Sequence, residues 1–316
     1  MAIIYDGSAD KALFRAVFAK NIEALAAADP DVVYLDADMM SSIDTRNFWK
    51  ANPKQAINVG IAEANMAGIA AGLAAGGKKP YTHTFAPFAT RRAYDQVFLS
   101  IAYAGNSVRV FGSDPGVCAA FNGGTHMPFE DIALMRAVPN ATVMEISDSS
   151  MLKSIMWQIK DREGLTYVRL NRKAYDAIYS DDHDFAIGKG QIVREGSNAA
   201  VIACGLMVSE ALKAADILLK DNIKLKVIDM FTIKPLDADL VLDAAKTGVV
   251  ITAENHNTIG GLGDAVASTL LEAGVSPKFK KIGVNDSFGV VGPQDFLQNH
   301  FGLTADNIVK TVKSMI

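Results

Sequence analysis

The chain has 316 residues, 50% of them hydrophobic and 21% charged, with a formal net charge of −4. That is the composition of an ordinary globular protein, long enough for two domains, and its acidic balance argues against nucleic-acid binding, which asks for a basic patch. The longest apolar tract, around Gly60–Gly77, is broken by Glu63 and Asn65 and does not read as a membrane span. The two cysteines, Cys118 and Cys204, fit no metal or redox spacing and are expected to be buried thiols in a reducing compartment. The first residues lack the basic-then-apolar pattern of a secretory signal, so a cytoplasmic location is expected.

Short β-branched runs alternate with segments of helical period along the chain. Strands are predicted at Val32–Leu35, Ala56–Val59, Ser107–Phe111, Ala141–Ile146 and Leu165–Leu170, with helices at Lys11–Ala27, Ala62–Ala75, Ala89–Ala102 and Asp148–Lys160. The composition changes around Tyr175–Lys189, where Asp181, Asp182 and Asp184 cluster, and a linker is expected there. The alternation then restarts, with strands at Ala199–Cys204, Lys224–Met230, Val249–Glu254 and Lys280–Val284. Helices are expected at Val208–Leu219, Asp237–Ala245 and Asp264–Ala273. Strands alternating with helices predict βαβ units and mostly parallel sheets, hence an α/β fold in two units.

The helix from Ala62 is unusual because it holds Gly68 and Gly72, each costing about 1 kcal/mol relative to alanine. A helix that keeps such residues beside Ala64, Ala67 and Ala71 is expected to meet a neighbouring backbone closely. Glu63 lies in its first turn, straight after a strand. It reads either as a charge complementing the helix dipole or as part of a ligand site, since ligands bind at such junctions in open α/β sheets. The run Gly72–Lys79 imitates a phosphate-binding loop. However, Lys79 stands where serine or threonine is required, and its glycines end a helix rather than begin one.

Phe85 and Phe88 stand three residues apart, followed by Arg91 and Arg92, and read either as core aromatics or as a stacking platform. The glycine-rich stretch Gly112–Met127 reads as a long loop, and long loops in compact domains are disproportionately functional. His126 and Asn122 on it are candidate site residues. Arg169 and Arg172 close a predicted strand and suit either an anion or nearby acids. Thr258–Gly263, TIGGLG before a helix, gives a weak signal for a phosphate cradle.

Taken in order, these segments resemble the transketolase family. NVGIAEANMAGIAAGLA (Asn58–Ala74) resembles the glutamate motif of its pyrimidine-binding domain. The TF and F of Thr84–Phe88, RAYDQ (Arg92–Gln96), GGTH (Gly123–His126) and EDIALMRAVPN (Glu130–Asn140) follow in the family's order. ENHNTIGGLGDAVA (Glu254–Ala267) and DSFGVVG (Asp286–Gly292) resemble its C-terminal domain. The resemblance implies two doubly wound α/β domains. These are a thiamine-diphosphate pyrimidine-binding domain with a mostly parallel sheet over 1–178 and a smaller C-terminal domain over 191–316, with a linker over 179–190. The family's GDG…N motif, which holds the cofactor's diphosphate through magnesium, has no counterpart here. The chain therefore resembles the C-terminal subunit of a split transketolase. Such a subunit transfers a two-carbon ketol unit from a ketose to an aldehyde only with an N-terminal, diphosphate-binding partner that carries the Mg2+, in an α2β2 assembly.

The resemblance also implies roles. Glu63 matches the acid that hydrogen-bonds the cofactor's aminopyrimidine and favours its imino tautomer, a task suited to a buried, proton-sharing carboxyl. Phe88 matches the aromatic that stacks on that ring, with Phe85 beside it, and Asp38 matches an acid near the cofactor. His126 matches a histidine at the donor's C1 end, Arg172 the cation that grips a sugar phosphate, and Arg91 falls among the substrate-side residues. Three positions depart from the pattern. Asn122 replaces an aspartate, Asp114 a phosphate-binding histidine and, by a looser alignment, Asp10 a phosphate-binding arginine. Carboxylates in place of cations imply a substrate without the usual terminal phosphate, or cations supplied by the partner. RAYDQ is shared with deoxyxylulose-phosphate synthase, so a 2-oxo-acid-using enzyme of that type or of the dehydrogenase E1-β type is the enzymatic alternative. A non-catalytic assembly module is the alternative of another class.

Overall fold

The computed structural model describes residues 3–316. Its first sheet contains β1 (Val32–Asp36), β2 (Ala56–Asn58), β3 (Lys79–Phe85), β4 (Arg109–Ser113), β5 (Thr142–Glu145) and β6 (Thr166–Leu170). The second contains β7 (Gln191–Arg194), β8 (Ala199–Ala203), β9 (Leu225–Asp229), β11 (Val249–Asn257) and β12 (Lys278–Val284). The remaining strand, β10 (Thr232–Lys234), leaves the second half of the chain and joins β5 antiparallel as the edge of the first sheet.

Both sheets are covered on two faces, as their unbroken apolar strands demand. In β1, Val32 and Tyr34 enter one core with Phe14, Phe18 and Ile22 of helix Phe14–Ala28, and with Met151 and Ile155 of helix Ser149–Gln158. Val33 and Leu35 enter the opposite core with Met66 and Ala70 of helix Glu63–Ala75 and Val97 and Ile101 of the following helical stretch. Each such large apolar side chain, fully buried, contributes about 1.5–3 kcal/mol. The second sheet repeats the arrangement: Val201 faces helix Leu206–Leu219, while Ala200 and Ile202 face helices Ala238–Ala245 and Leu262–Glu272.

In the first sheet the strand order is β10-β5-β6-β4-β3-β1-β2, and every neighbour pair except β10–β5 is parallel. The chain runs from β1 outward to β2, then returns to the other side of β1 as β3. The strand order therefore reverses between β1 and β3, which makes the carboxyl edge there a topological switch point, the usual place for a ligand in such sheets.

Several elements differ from the sequence expectation. β3 occupies a stretch in which the sequence predicts no strand. In place of one helix over Ala89–Ala102 there are short turns at Ala86–Ala89 and Tyr94–Gln96 and a π-helical stretch, Val97–Tyr103. Edge strands β7 and β10 and helices Gln294–Phe301 and Ala305–Met315 have no counterpart among the predicted elements. The segment around Tyr175–Lys189 is no loose tether: Ile178, Tyr179 and Phe185 are buried, and it bridges back to the N-terminus at Ile3–Tyr179 and Ala9–Asp176.

Candidate active site

At the switch point, β1 ends at Asp36 and is followed by Asp38, while β3 ends at Phe85 and is followed by Phe88. Helix Glu63–Ala75 starts beside them, after β2. Glu63 is 3% exposed. Its carboxylate accepts bonds from Arg92 Nη1 at 2.9 Å on Oε1 and 3.0 Å on Oε2, with the Thr84 hydroxyl 3.4 Å from Oε1. The resemblance implies a proton-sharing carboxyl; the structure instead gives both oxygens to a guanidinium. The same guanidinium lies 3.7 Å from the centre of the Phe88 ring.

His126 completes the cluster. Its ring meets Phe85 and Phe88 edge-on, with centroids 5.6 and 5.0 Å away, and its Nδ1 is 2.8 Å from the Thr125 hydroxyl. Burial, then the charges of Arg92 and Arg91, hold its pKa below the usual histidine value. Asp38 is exposed and left-handed (φ 64°), held by Asn58 Nδ2 at 3.1 Å. Asn122 is exposed at the end of the Gly116–Asn122 turn. Arg91 is committed to the loop: Nη1 donates to Glu130 at 2.8 Å and Nη2 to the Thr125 carbonyl at 2.7 Å, so it braces the His126 segment.

Further along the edge, β4 and β6 deliver Asp114 and Arg172. Asp114 is 3% exposed and takes Arg172 Nε at 2.6 Å, with Nη2 also against its carboxylate. The two line a cavity of about 220 Å³ with Leu13, Arg15 and Lys173. Asp114 thus occupies the arginine expected to grip an anion; of the other cations there, Arg15 is paired with Asp44 at 3.3 Å and Lys173 remains. Asp10 takes no part: its oxygens accept the backbone N–H groups of Ala12 and Ser149.

Two features were not identified from sequence. His83 is fully buried in β3, with Nδ1 2.8 Å from Asp36 and Nε2 3.0 Å from Ser113. Asp36 also takes the Tyr34 hydroxyl at 2.6 Å and the Met39 amide, which pins the turn carrying Asp38. The role of Arg92 was hidden because it stands beside Arg91 in a run of surface-like charge. Arg169, fully buried, binds Asp131, Glu145 and the Asn255 carbonyl rather than any ligand. The suspected cradle at Thr258–Gly263 is filled from within the chain. Glu254 accepts the N–H groups of Leu262 and Gly263 at 2.7 and 2.8 Å, and a Cβ at Gly261 would meet it at 1.9 Å.

A buried acid, an aromatic pair and a loop histidine thus stand together at the switch point of an α/β sheet. Residues 10–177 match the transketolase pyrimidine-binding domain and residues 188–308 the transketolase C-terminal domain. The 6-deoxy-6-sulfo-D-fructose transketolase subunit of Clostridium sp. (strain MSTE9) is 48% identical over 89% of this chain and 88% of its own length. Human transketolase is 33% identical over 97% of this chain, but that match spans only 49% of the human protein. A solved split-gene transketolase, described as an inactive β4 tetramer, superposes with a TM-score of 0.87 at 36% identity, covering 96% of this chain and 97% of that one. The chain belongs to the transketolase family.

Proposed function

We propose that this chain is the pyrimidine-binding half of a thiamine-diphosphate-dependent transketolase and moves a two-carbon ketol unit from a ketose to an aldehyde. One observation carries the reading: the buried Glu63 carboxylate lies beside the Phe88 face at the switch point. A planar, N–H-bearing aromatic ring needs an acceptor in its plane and an apolar surface under its face, and these two side chains offer both. Thiamine diphosphate, when bound, supplies the nucleophilic carbon that takes up the ketol unit. Glu63 then orients the pyrimidine and holds a proton at its ring nitrogen, Phe88 and Phe85 stack and exclude water, and His126 is placed to hydrogen-bond the donor's oxygen. Asp38 and Asn122 are assigned to the same site.

The residues fit only the pyrimidine end of the cofactor. Among the described residues no group of three or more histidine, cysteine or acidic side chains is arranged to hold a metal ion. A second polypeptide is therefore assigned the magnesium and diphosphate, and the half-length match to human transketolase supports that division. The expected assembly is α2β2. Gly68 and Gly72 lie exposed, and a Cβ at either would have no neighbour within 4 Å, so the close neighbour this helix calls for is assigned to a second copy of the chain. No helix among the described residues is long and apolar enough to cross a membrane, and a cytoplasmic location is proposed.

The donor is proposed to end in a group of lower charge than a phosphate dianion, with a sulfonate favoured. Asp114 neutralises Arg172 and Asp44 pairs with Arg15, which leaves Lys173 for a single negative charge, and the relative from Clostridium is a sulfofructose transketolase subunit. The test is reconstitution with the copurifying partner, thiamine diphosphate and magnesium, followed by assay of ketol transfer from sulfonated, phosphorylated and neutral ketoses. Transfer from the sulfonated ketose that Glu63→Gln abolishes is expected. Release of carbon dioxide from pyruvate instead would favour the 2-oxo-acid enzymes, and full activity in Glu63→Gln would favour an assembly module.

A further inference from the structure

The Arg92 guanidinium meets the two side chains that the cofactor reading assigns to the aminopyrimidine. It is planar, carries N–H donors in that plane, bonds both oxygens of Glu63 and lies 3.7 Å from the centre of the Phe88 ring. Glu63 is buried, and its other hydrogen-bond partner is the Thr84 hydroxyl. A guanidinium and an aromatic ring cannot both lie against the same Phe88 face and both take the same carboxylate in plane. One must leave before the other arrives. Arg92 has a way out, because its side chain is 44% exposed while that of Glu63 is only 2% exposed. It also sits between the turns Ala86–Ala89 and Tyr94–Gln96, outside any regular helix.

Building on the cofactor reading, we propose that Arg92 is a resident substitute for the aminopyrimidine. It holds Glu63 and Phe88 in their binding geometry until the cofactor displaces it, and so sets the cofactor's affinity. Arg92 is thus a positioning residue that competes with the ligand it prepares for. Without it, the cofactor-free complex would carry a buried carboxylate answered by the Thr84 hydroxyl but by no positive charge, against a bare aromatic face. With it, every binding event must first break a charge-assisted contact. The apparent dissociation constant is then the intrinsic one divided by the fraction of molecules in which Arg92 has swung away.

The test uses the reconstituted complex and the variants Arg92→Met and Arg92→Lys. Thiamine diphosphate affinity, with magnesium, is measured by calorimetry, and melting temperature is measured with and without saturating cofactor. Arg92→Met is expected to tighten cofactor binding about five- to tenfold. It should lower the melting temperature of the cofactor-free complex and leave that of the saturated complex unchanged. Arg92→Lys, which keeps the charge but cannot lie flat on the ring, should fall between, and it decides the matter if the methionine variant fails to fold. Unchanged or weaker binding, or an equal loss of stability in both states, overturns the inference. A complex in which Glu63→Gln binds thiamine diphosphate as tightly as wild type overturns the cofactor reading as well. A complex that needs Glu63 but ignores Arg92 overturns the Arg92 inference alone.

Discussion

Arg172 and Asp114 form the ion pair on which the proposed substrate preference rests. A carboxylate beside an arginine at the carboxyl edge takes up the guanidinium's bonds, and a phosphate arriving there must compete with a partner already in place. Asp114→Asn is expected to release Arg172 and lower KM for a phosphorylated ketose roughly tenfold, the equivalent of one charge-assisted hydrogen bond. Steady-state kinetics on paired sulfonated and phosphorylated donors checks this; a KM ratio that does not move would remove Asp114 from specificity. His126 gives a second readout at this scale. Burial and the two arginines hold its titration below the usual value, so it is neutral at pH 7 and gains a proton only as pH falls. Arg92→Met takes away one of the two arginine charges that depress it, and an NMR titration should show the His126 pKa rising in that variant. Glu63, Phe88 and His126 were legible in the sequence because their motifs are local. The partners that define them were not: Arg92, Asp114 against Arg172, and Asp36 against His83 are contacts made by folding.

The elements that carry clean hydrophobic periods are the ones the sequence predicts correctly, and the failures have physical causes. β3 reads KPYTHTF, with threonines and a histidine where a buried strand should be apolar. It forms because Asp36 and Ser113 satisfy His83, and because Glu63 and neighbouring strands receive the rest. Buried polar groups that find partners cost little, but sequence alone does not show the partners. The helix Glu63–Ala75 is the reverse case: its glycines are plain in the sequence, and the neighbour they imply is assigned to a second chain. Space for a Cβ at Gly72 makes two substitutions diverge. Gly72→Ala is expected to stabilise the isolated chain by up to about 1 kcal/mol, from helix propensity alone. Gly72→Leu should fold equally well yet fail to pair, because its side chain would stand between two close backbones. Sedimentation velocity separates the outcomes, and a fully associated Gly72→Leu protein would move the pairing face elsewhere.

At the scale of the whole molecule, the two sheets are locked together through charge rather than through apolar surface alone. β10 crosses from the second half to edge the first sheet. Arg169 of β6 binds Asp131, Glu145 and the Asn255 carbonyl at once, and Cys204 donates to Glu145 at 3.1 Å. The carboxyl edge of β8 and β11, which would be the second sheet's ligand cleft, is filled by these side chains. The C-terminal half accordingly gets no chemistry in our reading. The joint segment is held by acids from both halves: Asp148 accepts the N–H groups of Ile178 and Tyr179, and Asp229 accepts the Tyr179 hydroxyl at 2.8 Å. Burial pushes Asp148 up to about 6, and Asp229 and Glu254 up to about 7. Acids with raised folded pKa values bind more protons folded than unfolded, so stability falls as pH rises through that range. His256 works the other way, because burial lowers it to about 4, but its opposing contribution tails off between about pH 6.5 and 7.5. From pH 6.5 to 8 the acids dominate. The protein should lose on the order of 1 kcal/mol across that interval, seen as a melting temperature lower by roughly 2–4 °C. Asp229→Asn, which cannot ionise, should remove about half of the slope. Scanning calorimetry at the two pH values tests this, and a flat or rising melting temperature would show that these carboxyls are already charged at pH 6.5 and that the hydrogen bonds they accept, with Arg169 near Glu254, outweigh burial.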